Sequence, residues 1–204
     1  MSLVLEKLDL RRHDVEKAAE LAYGADETLL PLMFGGKATA TRRIACLIRA
    51  GGNVFGYEHI YVAIDDGKVV GIAIGDTGSE YEKADGAGFG LLYRCLSITG
   101  TLRLLAALPI VNRVLTNRFE ADDFYLGILA VDPDRRSGGI GTFAIEGITR
   151  IAREKGCNSL VLDVSFENPR AKKFYERLGF ECVGKRPLIP GWGKIGTCTM
   201  VKML

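Results

Sequence analysis

The stretch from Val131 to Ile151 places the strongest constraint on what this chain can fold into. An apolar run at residues 124–131 comes before it and is typical of a buried strand. After it, apolar residues recur at spacings of three and four, which predicts a helix with one buried face. The residues of that face are Ile140, Phe143, Ala144, Gly147, Ile148, Ile151 and Ala152.

The junction between this strand and this helix predicts an anion site. Gly138, Gly139 and Gly141 have no Cβ that would keep a ligand away from the backbone. The first helical turn offers N–H groups without intrahelical partners at the positive end of the helix dipole, where phosphate commonly binds. A Walker loop is excluded because no Gly-Lys-Ser/Thr ending follows. Gly139-x-Gly141 continuing to Ala144 fits a dinucleotide fingerprint poorly, because that motif opens the first unit of a parallel domain.

Two motifs together resemble a known family. Arg136, Gly139 and Gly141 form an Arg-x-x-Gly-x-Gly pattern that is similar to the pyrophosphate loop of the GNAT N-acetyltransferase superfamily. Residues 168–180 resemble the family's Asn-x-x-Ala-x-x-Phe-Tyr-x-x-x-Gly-Phe signature. The resemblance implies an α/β (α+β) GNAT fold with a mixed, mostly antiparallel sheet flanked by helices. Its two central strands should part around the cofactor and leave a V-shaped cleft.

Composition favours one domain spanning residues 1–204. The chain is 48% hydrophobic and 25% charged, which is ordinary globular usage and excludes disorder. A net charge of +2 is too small to indicate a nucleic-acid or membrane partner. Residues 1–10 lack the basic and apolar regions of a signal peptide. The five scattered cysteines, without a Cys-x-x-Cys pair, favour reduced thiols in a cytoplasmic protein over disulfides or a zinc site.

Local signals predict most of the remaining elements. Asp14 can cap a helix that runs to about Tyr23, and a second helix is predicted over 38–50. Asp66-Gly67 between the runs 60–64 and 69–74 predicts a β-hairpin. A strand is predicted over 159–164, followed by a helix that Asn168 caps. Two last strands, 180–184 and 195–201, are predicted around a loop at residues 190–192.

Residues 78–121 depart from the family pattern, which has a short link between the third and fourth strands. The stretch is strongly apolar in its second half, carries Arg94, Arg103 and Arg113, and contains Pro109, which we expect to break it. A membrane span needs roughly 20 uninterrupted apolar residues, so two or three amphipathic helices are the better prediction. This insertion could simply cover the sheet, or it could form a lid over the acceptor site or a dimer surface.

The resemblance implies a cofactor, acetyl-CoA, and the residues that hold it. Backbone N–H groups of the glycine loop would bind the pyrophosphate, Arg136 would add charge, and Asn168 would make a further contact. The fourth strand would pair its backbone with the pantetheine amides through Leu129 and Val131. The loop residues concerned are Ser137, Gly138, Gly139, Ile140, Gly141 and Thr142.

Two residues are candidates for proton transfer. Tyr175 matches the motif tyrosine and could protonate the departing thiolate, because a tyrosine pKa is about 10; alternatively it packs in the core. Asp163 lies twelve positions before Tyr175, where an acid often stands in branches that acetylate protein N-terminal amines; alternatively it is structural. The family's usual acid on the fourth strand is missing, since Gly127 and Ile128 hold its place. The two histidines have no metal-ligand spacing, so no metal is expected.

The predicted function is therefore transfer of an acetyl group from acetyl-CoA to a primary amine, by direct attack in a ternary complex. Neither motif contains a cysteine, which favours direct attack over a covalent enzyme intermediate. The acceptor could be a small molecule or a peptide, and a homodimer is open. Two alternatives remain: transfer of a larger acyl group, and a non-catalytic acyl-CoA-binding sensor that uses the insertion as an interaction surface.

Overall fold

The computed structural model describes residues 3–85, 89–115, 119–189 and 192–204. In this part of the chain, seven strands form one mixed sheet with the order β1-β2-β3-β4-β5-β7-β6. The strands are β1 Val4–Lys7, β2 Ile60–Asp65, β3 Lys68–Thr77, β4 Asp123–Val131, β5 Ser159–Ser165, β6 Glu181–Ile189 and β7 Trp192–Met203. The helices are α1 Val15–Tyr23, α2 Leu29–Phe34, α3 Lys37–Ala50, α4 Gly78–Asp85, α5 Phe89–Val114, α6 Ile140–Glu154 and α7 Pro169–Arg177.

The predicted fold class is confirmed, and the decisive feature is the contact between β4 and β5. These strands pair in parallel, as expected for strands joined by a crossover helix, here α6; the other neighbouring strands pair antiparallel. Only three residue pairs join them, from Asp123–Ser159 to Tyr125–Val161. Beyond these pairs the strands part, which produces the expected V-shaped opening at their C-terminal ends.

The sheet is covered by helices on both faces. One face packs against α6 and α7 through a core that includes Phe124, Leu162 and Tyr175. The other face packs against α1, α2, α3 and the first half of α5. A register shift in β3–β4 pairing leaves Gly127 between the paired residues Leu126 and Ile128, so side-chain alternation along β4 is interrupted there.

The predicted local signals are found where the sequence places them. The Asp14 side chain accepts a hydrogen bond from Lys17 N, and the Asn168 side chain accepts one from Ala171 N. Asp66 and Gly67 both have positive φ, at 48° and 74°, as a type I′ hairpin turn requires. Of the predicted loop at 190–192, residues 190 and 191 lie outside the described residues, and 192 begins β7.

The insertion forms α4 and α5, in agreement with the helices predicted for it. The expected break at Pro109 is wrong, because α5 continues past it. Leu105, four residues earlier, is exposed, so water can solvate the carbonyl that the proline leaves without a donor. The non-helical residue is Ser97 instead, with φ 65° and ψ 173°. By length and composition alone, Gly90–Val114 could cross a membrane, with mean hydropathy 1.4, but it packs on α2, α3 and β6.

The expectation of reduced thiols is wrong for four of the five cysteines. Cys46 and Cys95 form a disulfide between α3 and α5, with their Cα atoms 5.4 Å apart. Cys182 and Cys198 form a second one between β6 and β7, at 6.1 Å. The partners are 49 and 16 residues apart in sequence, so only the folded topology reveals them. Cys157 is a free, buried thiol.

Candidate active site

A cavity of about 1300 Å³ lies where β4 and β5 part. Its walls are the ends of these strands, the loop before α6, the helix α7, and residues 24–28 between α1 and α2. Its size exceeds the roughly 300–1,000 Å³ of typical small-molecule sites. Nine of the ten predicted cofactor residues line it, and Gly138 does not. The nine are Leu129, Val131, Arg136, Ser137, Gly139, Ile140, Gly141, Thr142 and Asn168.

The glycine loop turns its backbone donors toward this cavity. Gly139 caps α6 with a left-handed φ of 80° and no side-chain hydrogen bond, and Ser137 before it also has positive φ, at 67°. The first backbone bond of the helix runs from Phe143 N to Gly139 O at 3.0 Å. The N–H groups of the preceding three residues therefore have no acceptor within the helix. These donors can hold an anion.

Gly141 fixes how closely α6 approaches α7. A Cβ at this position would lie 3.2 Å from Phe174 Cζ, a contact tighter than side chains normally tolerate. A side chain at this position would require Phe174 to shift by a few tenths of an ångström. The glycine therefore keeps the two motifs on opposite walls of one cavity.

Basic side chains surround the same opening. Arg136, Arg170, Lys173 and Arg177 line the cavity. The Arg136 Nε donates to Val131 O at 3.4 Å, and Arg170 Nη2 donates to Ser137 Oγ at 3.3 Å, so both are held at the loop. Together with the helix N-terminus, they make this end of the cavity suitable for a ligand with several phosphates.

Tyr175 lies on the wall formed by α7, where it packs in the core and also lines the cavity. Its ring packs edge-on against Phe174 and Phe180, with centroids 5.1 and 5.4 Å away, and the residue is 9% exposed. It also lines the cavity. Burial raises the pKa of Tyr175, so the phenol keeps its proton at neutral pH. Among the residues that the structure describes, its hydroxyl has no hydrogen-bond partner.

Asp163 is placed differently, on the opposite face of the sheet, and does not line the cavity. Tyr125 Oη donates to Asp163 Oδ2 at 3.1 Å, and Thr199 Oγ1 donates to Oδ1 at 2.7 Å. Both carboxylate oxygens therefore have donors. Burial, reinforced by the adjacent carboxylate, raises the pKa of Tyr125 well above its usual value, so this phenol also stays protonated.

Tyr125 and Thr199 were not predicted as partners of Asp163. The three residues come from β4, β5 and β7, and only the strand register brings them together. One available signal was the alternation in β4, which places Tyr125 on the face opposite Phe124. This alternation alone does not identify Asp163 as the partner of Tyr125, because that also requires the parallel pairing of β4 with β5 at this point.

A second buried charged group lies apart from the cavity. Asp76 accepts hydrogen bonds from His59 Nδ1 at 2.9 Å, from Lys155 Nζ and from Thr77 N. Burial alone would raise the pKa of Asp76, but the hydrogen bonds from His59 and Lys155 lower it to about 2. This group joins β3 to the end of α6, which is a structural role.

Comparison with known proteins identifies the family of this chain. The family model for the GNAT acetyltransferase family matches residues 40–180. The chain belongs to the GNAT family. Members of this family transfer acetyl groups from acetyl-CoA.

Curated GNAT relatives match over a short segment. An uncharacterised N-acetyltransferase of Methanocaldococcus jannaschii is 42% identical over 62 residues, which is 30% of this chain and 26% of the relative. N-alpha-acetyltransferase 30 of Schizosaccharomyces pombe is 36% identical over 62 residues, 30% of this chain and 41% of the relative. The match thus spans less than half the length of either relative.

Solved GNAT structures match over almost the whole chain. An N-acetyltransferase from Staphylococcus aureus Mu50 has a TM-score of 0.73 at 17% identity, covering 97% of this chain and 99% of that one. At this level of identity, the likeness shows the fold alone.

The cavity fits the family's cofactor on structural grounds. The bare N–H groups at the start of α6 and the surrounding cations would hold a pyrophosphate and a further phosphate. Between Leu126 and Val131, the edge of β4 that faces the opening has no strand paired to it in the described part of the chain. Its backbone can therefore pair with the amides of an extended ligand, as predicted for Leu129 and Val131. The Val131 carbonyl already accepts a bond from Arg136, which leaves its N–H for such pairing.

Proposed function

We propose that this protein is an acetyl-CoA-dependent N-acetyltransferase that acts on a primary amine by direct attack. One observation carries the proposal: a single cavity connects the anion-binding start of α6 with the protonated hydroxyl of Tyr175. In this arrangement the glycine loop would hold the phosphates of the cofactor, and Tyr175 would face its thioester. Acetyl-CoA supplies the activated acyl group when it is bound.

The proposed chemistry assigns one proton transfer to each side of the sheet. Acetyl transfer would join the amine nitrogen to the thioester carbonyl carbon and break the carbon–sulfur bond, and Tyr175 would supply the proton that the sulfur takes. The nitrogen loses its proton to Asp163, directly or through water. The hydrogen bonds from Tyr125 and Thr199 hold the Asp163 carboxylate in a fixed orientation. Tyr125 and Thr199 are thus positioning residues.

The cysteine geometry supports direct attack over a covalent enzyme intermediate. Cys157 is the free thiol of the described residues, and burial raises its pKa, which disfavours the reactive thiolate. It does not line the cavity. The other cysteines are in disulfides.

Some of the sequence-based predictions are not needed for this proposal and stay predictions. A cytoplasmic location and a homodimer stay predictions. Transfer of a larger acyl group remains an alternative, because a loop that binds the phosphates of the cofactor does not select its acyl chain. One observation favours the alternative of a non-catalytic sensor: both oxygens of Asp163 already accept hydrogen bonds, which makes this carboxylate a poorer base.

Calorimetric titration of acetyl-CoA tests the cofactor site. We expect micromolar binding by the unmodified protein and its loss in Gly139→Asp, because a carboxylate would face the pyrophosphate at a strained φ of 80°. The matched control is Gly36→Asp, which makes the same change at an exposed N-cap of α3 with open space around it. Equal affinity in all three proteins would contradict the proposal.

Binding and turnover separate the enzyme from the sensor. If acetyl-CoA binds, a panel of amines is screened by release of the free CoA thiol. Release that requires both an amine and Tyr175 identifies the protein as an enzyme. Tight binding with no amine-dependent release from small amines or peptides would favour the sensor.

A further inference from the structure

The helix α5 packs on the face of the sheet that carries Asp163, against α2 and α3. Cys95, which lies just before the non-helical Ser97, is bonded to Cys46 of α3. Further along, Arg103 Nε donates to Leu32 O of α2 at 2.9 Å. At its end, the Val114 carbonyl accepts a hydrogen bond from Thr197 Oγ1 of β7.

These contacts tie α5 to both sides of the opening between β4 and β5. The helices α2 and α3 cover the part of the sheet formed by the first strands, and β7 lies beyond β5 in the strand order. Arg186 of β6 also donates to Leu115 O, just after the helix, at 3.4 Å. The part of α5 after the non-helical Ser97 therefore runs from α2 to β6 and β7. Because β4 and β5 lie between these anchors in the strand order, this part of α5 crosses the opening between them.

Aromatic side chains from the same insertion pack directly above Tyr125. The ring of Phe119 stacks on it with centroids 4.7 Å apart, and the ring of Tyr81 meets it edge-on at 5.0 Å. Tyr125 is only 3% exposed as a result. The hydrogen bond between Tyr125 and Asp163 is therefore enclosed by the insertion.

This enclosure matters because of where the acceptor amine must enter. A cofactor in the cavity occupies the side of the opening formed by α6 and α7. The amine has to reach the thioester carbon from a direction that the cofactor leaves open. The gap between β4 and β5 provides that direction, and it leads to the face where Asp163 lies.

We propose that α5, together with Tyr81 and Phe119, forms a cover over the acceptor side of this site and restricts the acceptor to a small primary amine. An extended peptide or a protein N-terminus needs a groove along this face, and α5 lies across it. The proposal rests on the acetyltransferase function proposed above and names the substrate class. Of the roles left open for the insertion, it selects the lid over the acceptor site.

Two bisubstrate conjugates test the cover in the unmodified protein. In one, the CoA sulfur is joined through an acetyl bridge to the nitrogen of glycinamide; in the other, it is joined to the N-terminus of a six-residue peptide. Their dissociation constants are compared with that of CoA by calorimetry. We expect the glycinamide conjugate to bind at least as tightly as CoA, and the peptide conjugate to bind about 100-fold more weakly because it clashes with the cover.

The outcomes distinguish the two proposals. If CoA itself does not bind, the proposed cofactor site fails, and the inference about the cover fails with it. If CoA binds and the peptide conjugate binds as tightly as the glycinamide conjugate, the cover does not restrict the acceptor and only this inference is overturned. Weak binding of both conjugates beside tight binding of CoA would also overturn it, because small amines would then be excluded too.

A pair of tyrosine variants tests the part of the cover nearest Tyr125. Tyr81→Ala removes a ring that lies on Tyr125 and should raise the affinity of the peptide conjugate relative to CoA about tenfold. Tyr93→Ala makes the same change on the exposed side of α5, where the side chain is 53% exposed, and should leave the ratio unchanged. Circular dichroism checks that both variants are folded. The same ratio in both variants would contradict the role assigned to Tyr81.

Discussion

Replacing Tyr175 by Phe removes one hydroxyl group and leaves the packing of the ring in place. The ring contacts with Phe174 and Phe180 are made by carbon atoms that both residues share. The hydroxyl has no hydrogen-bond partner in the described part of the chain, so its removal leaves no buried group unpaired. We therefore expect the free energy of unfolding to change by less than about 0.5 kcal/mol.

The same substitution should strongly reduce turnover, because it removes the proposed proton donor. General acid catalysis contributes roughly 10²–10⁴-fold, so kcat should fall by that factor, with the affinity for acetyl-CoA unchanged. This loss corresponds to about 3–5 kcal/mol in the activation barrier. Since burial raises the pKa of Tyr175, ionisation of this group should not reduce the wild-type rate below about pH 10.

Single-turnover release of CoA thiol, with the acceptor found by amine screening, measures this effect. Urea unfolding of the same variant measures stability. Tyr57→Phe, a change of the same chemical kind at a 40% exposed residue outside the cavity, is the control and should keep full activity. A Tyr175→Phe enzyme that retains more than half of the turnover would refute the role of Tyr175 as the acid.

Three further changes test other parts of the structure. Asp163→Asn should lower kcat/KM by about 100-fold or more while acetyl-CoA binding is retained, as measured by thiol release and calorimetry. Asp76→Asn should lower the free energy of unfolding by roughly 2 kcal/mol at pH 7, as measured by urea unfolding. The reason is that the Asp76 pKa is about 2 in the folded state, below the usual 3.8, and this difference stabilises the folded state above pH 3.8. Gly75→Ala should cost about 2–3 kcal/mol, because its Cβ would lie 2.4 Å from Tyr125 O.

Each of these expectations has a contrasting outcome. If Asp163 is only structural, its variant loses stability while the molecules that remain folded turn over normally. The contribution of Asp76 is lost as the pH falls through about 2, so the stability difference between the wild type and Asp76→Asn should vanish in acid; a difference independent of pH would contradict the pKa argument. Gly184→Ala, with open space around its Cβ, should change stability by less than about 0.5 kcal/mol and is the control for Gly75→Ala.

The elements that could be predicted from sequence are those set by neighbouring residues. The caps Asp14 and Asn168, the Asp66-Gly67 turn and the periodic apolar face of α6 each depend on residues a few positions apart. The glycine loop is of the same kind, because its donors come from the start of one helix. For that reason the residues that form this end of the cavity could be predicted, and their binding of phosphate stays a prediction.

The features that were missed depend on contacts between distant segments. The Cys46–Cys95 disulfide joins two helices separated by β2 and β3, and no spacing rule relates its two residues. The partners of Asp163 depend on the register of three strands. Pro109 shows a different limit: a proline breaks a helix less readily where water can take over the hydrogen bond that is lost.

The short contact between β4 and β5 divides the sheet into two parts, β1–β4 and β5–β7, that share only three residue pairs. A ligand in the cavity touches both parts, since residues of β4 and of α7 line it. Cofactor binding should therefore hold the two parts of the sheet together where few strand contacts join them. At a concentration 100 times its dissociation constant, the cofactor would add about 2.7 kcal/mol to the free energy of unfolding. Amide hydrogen exchange should slow most at the parted ends of β4 and β5, where the two parts separate.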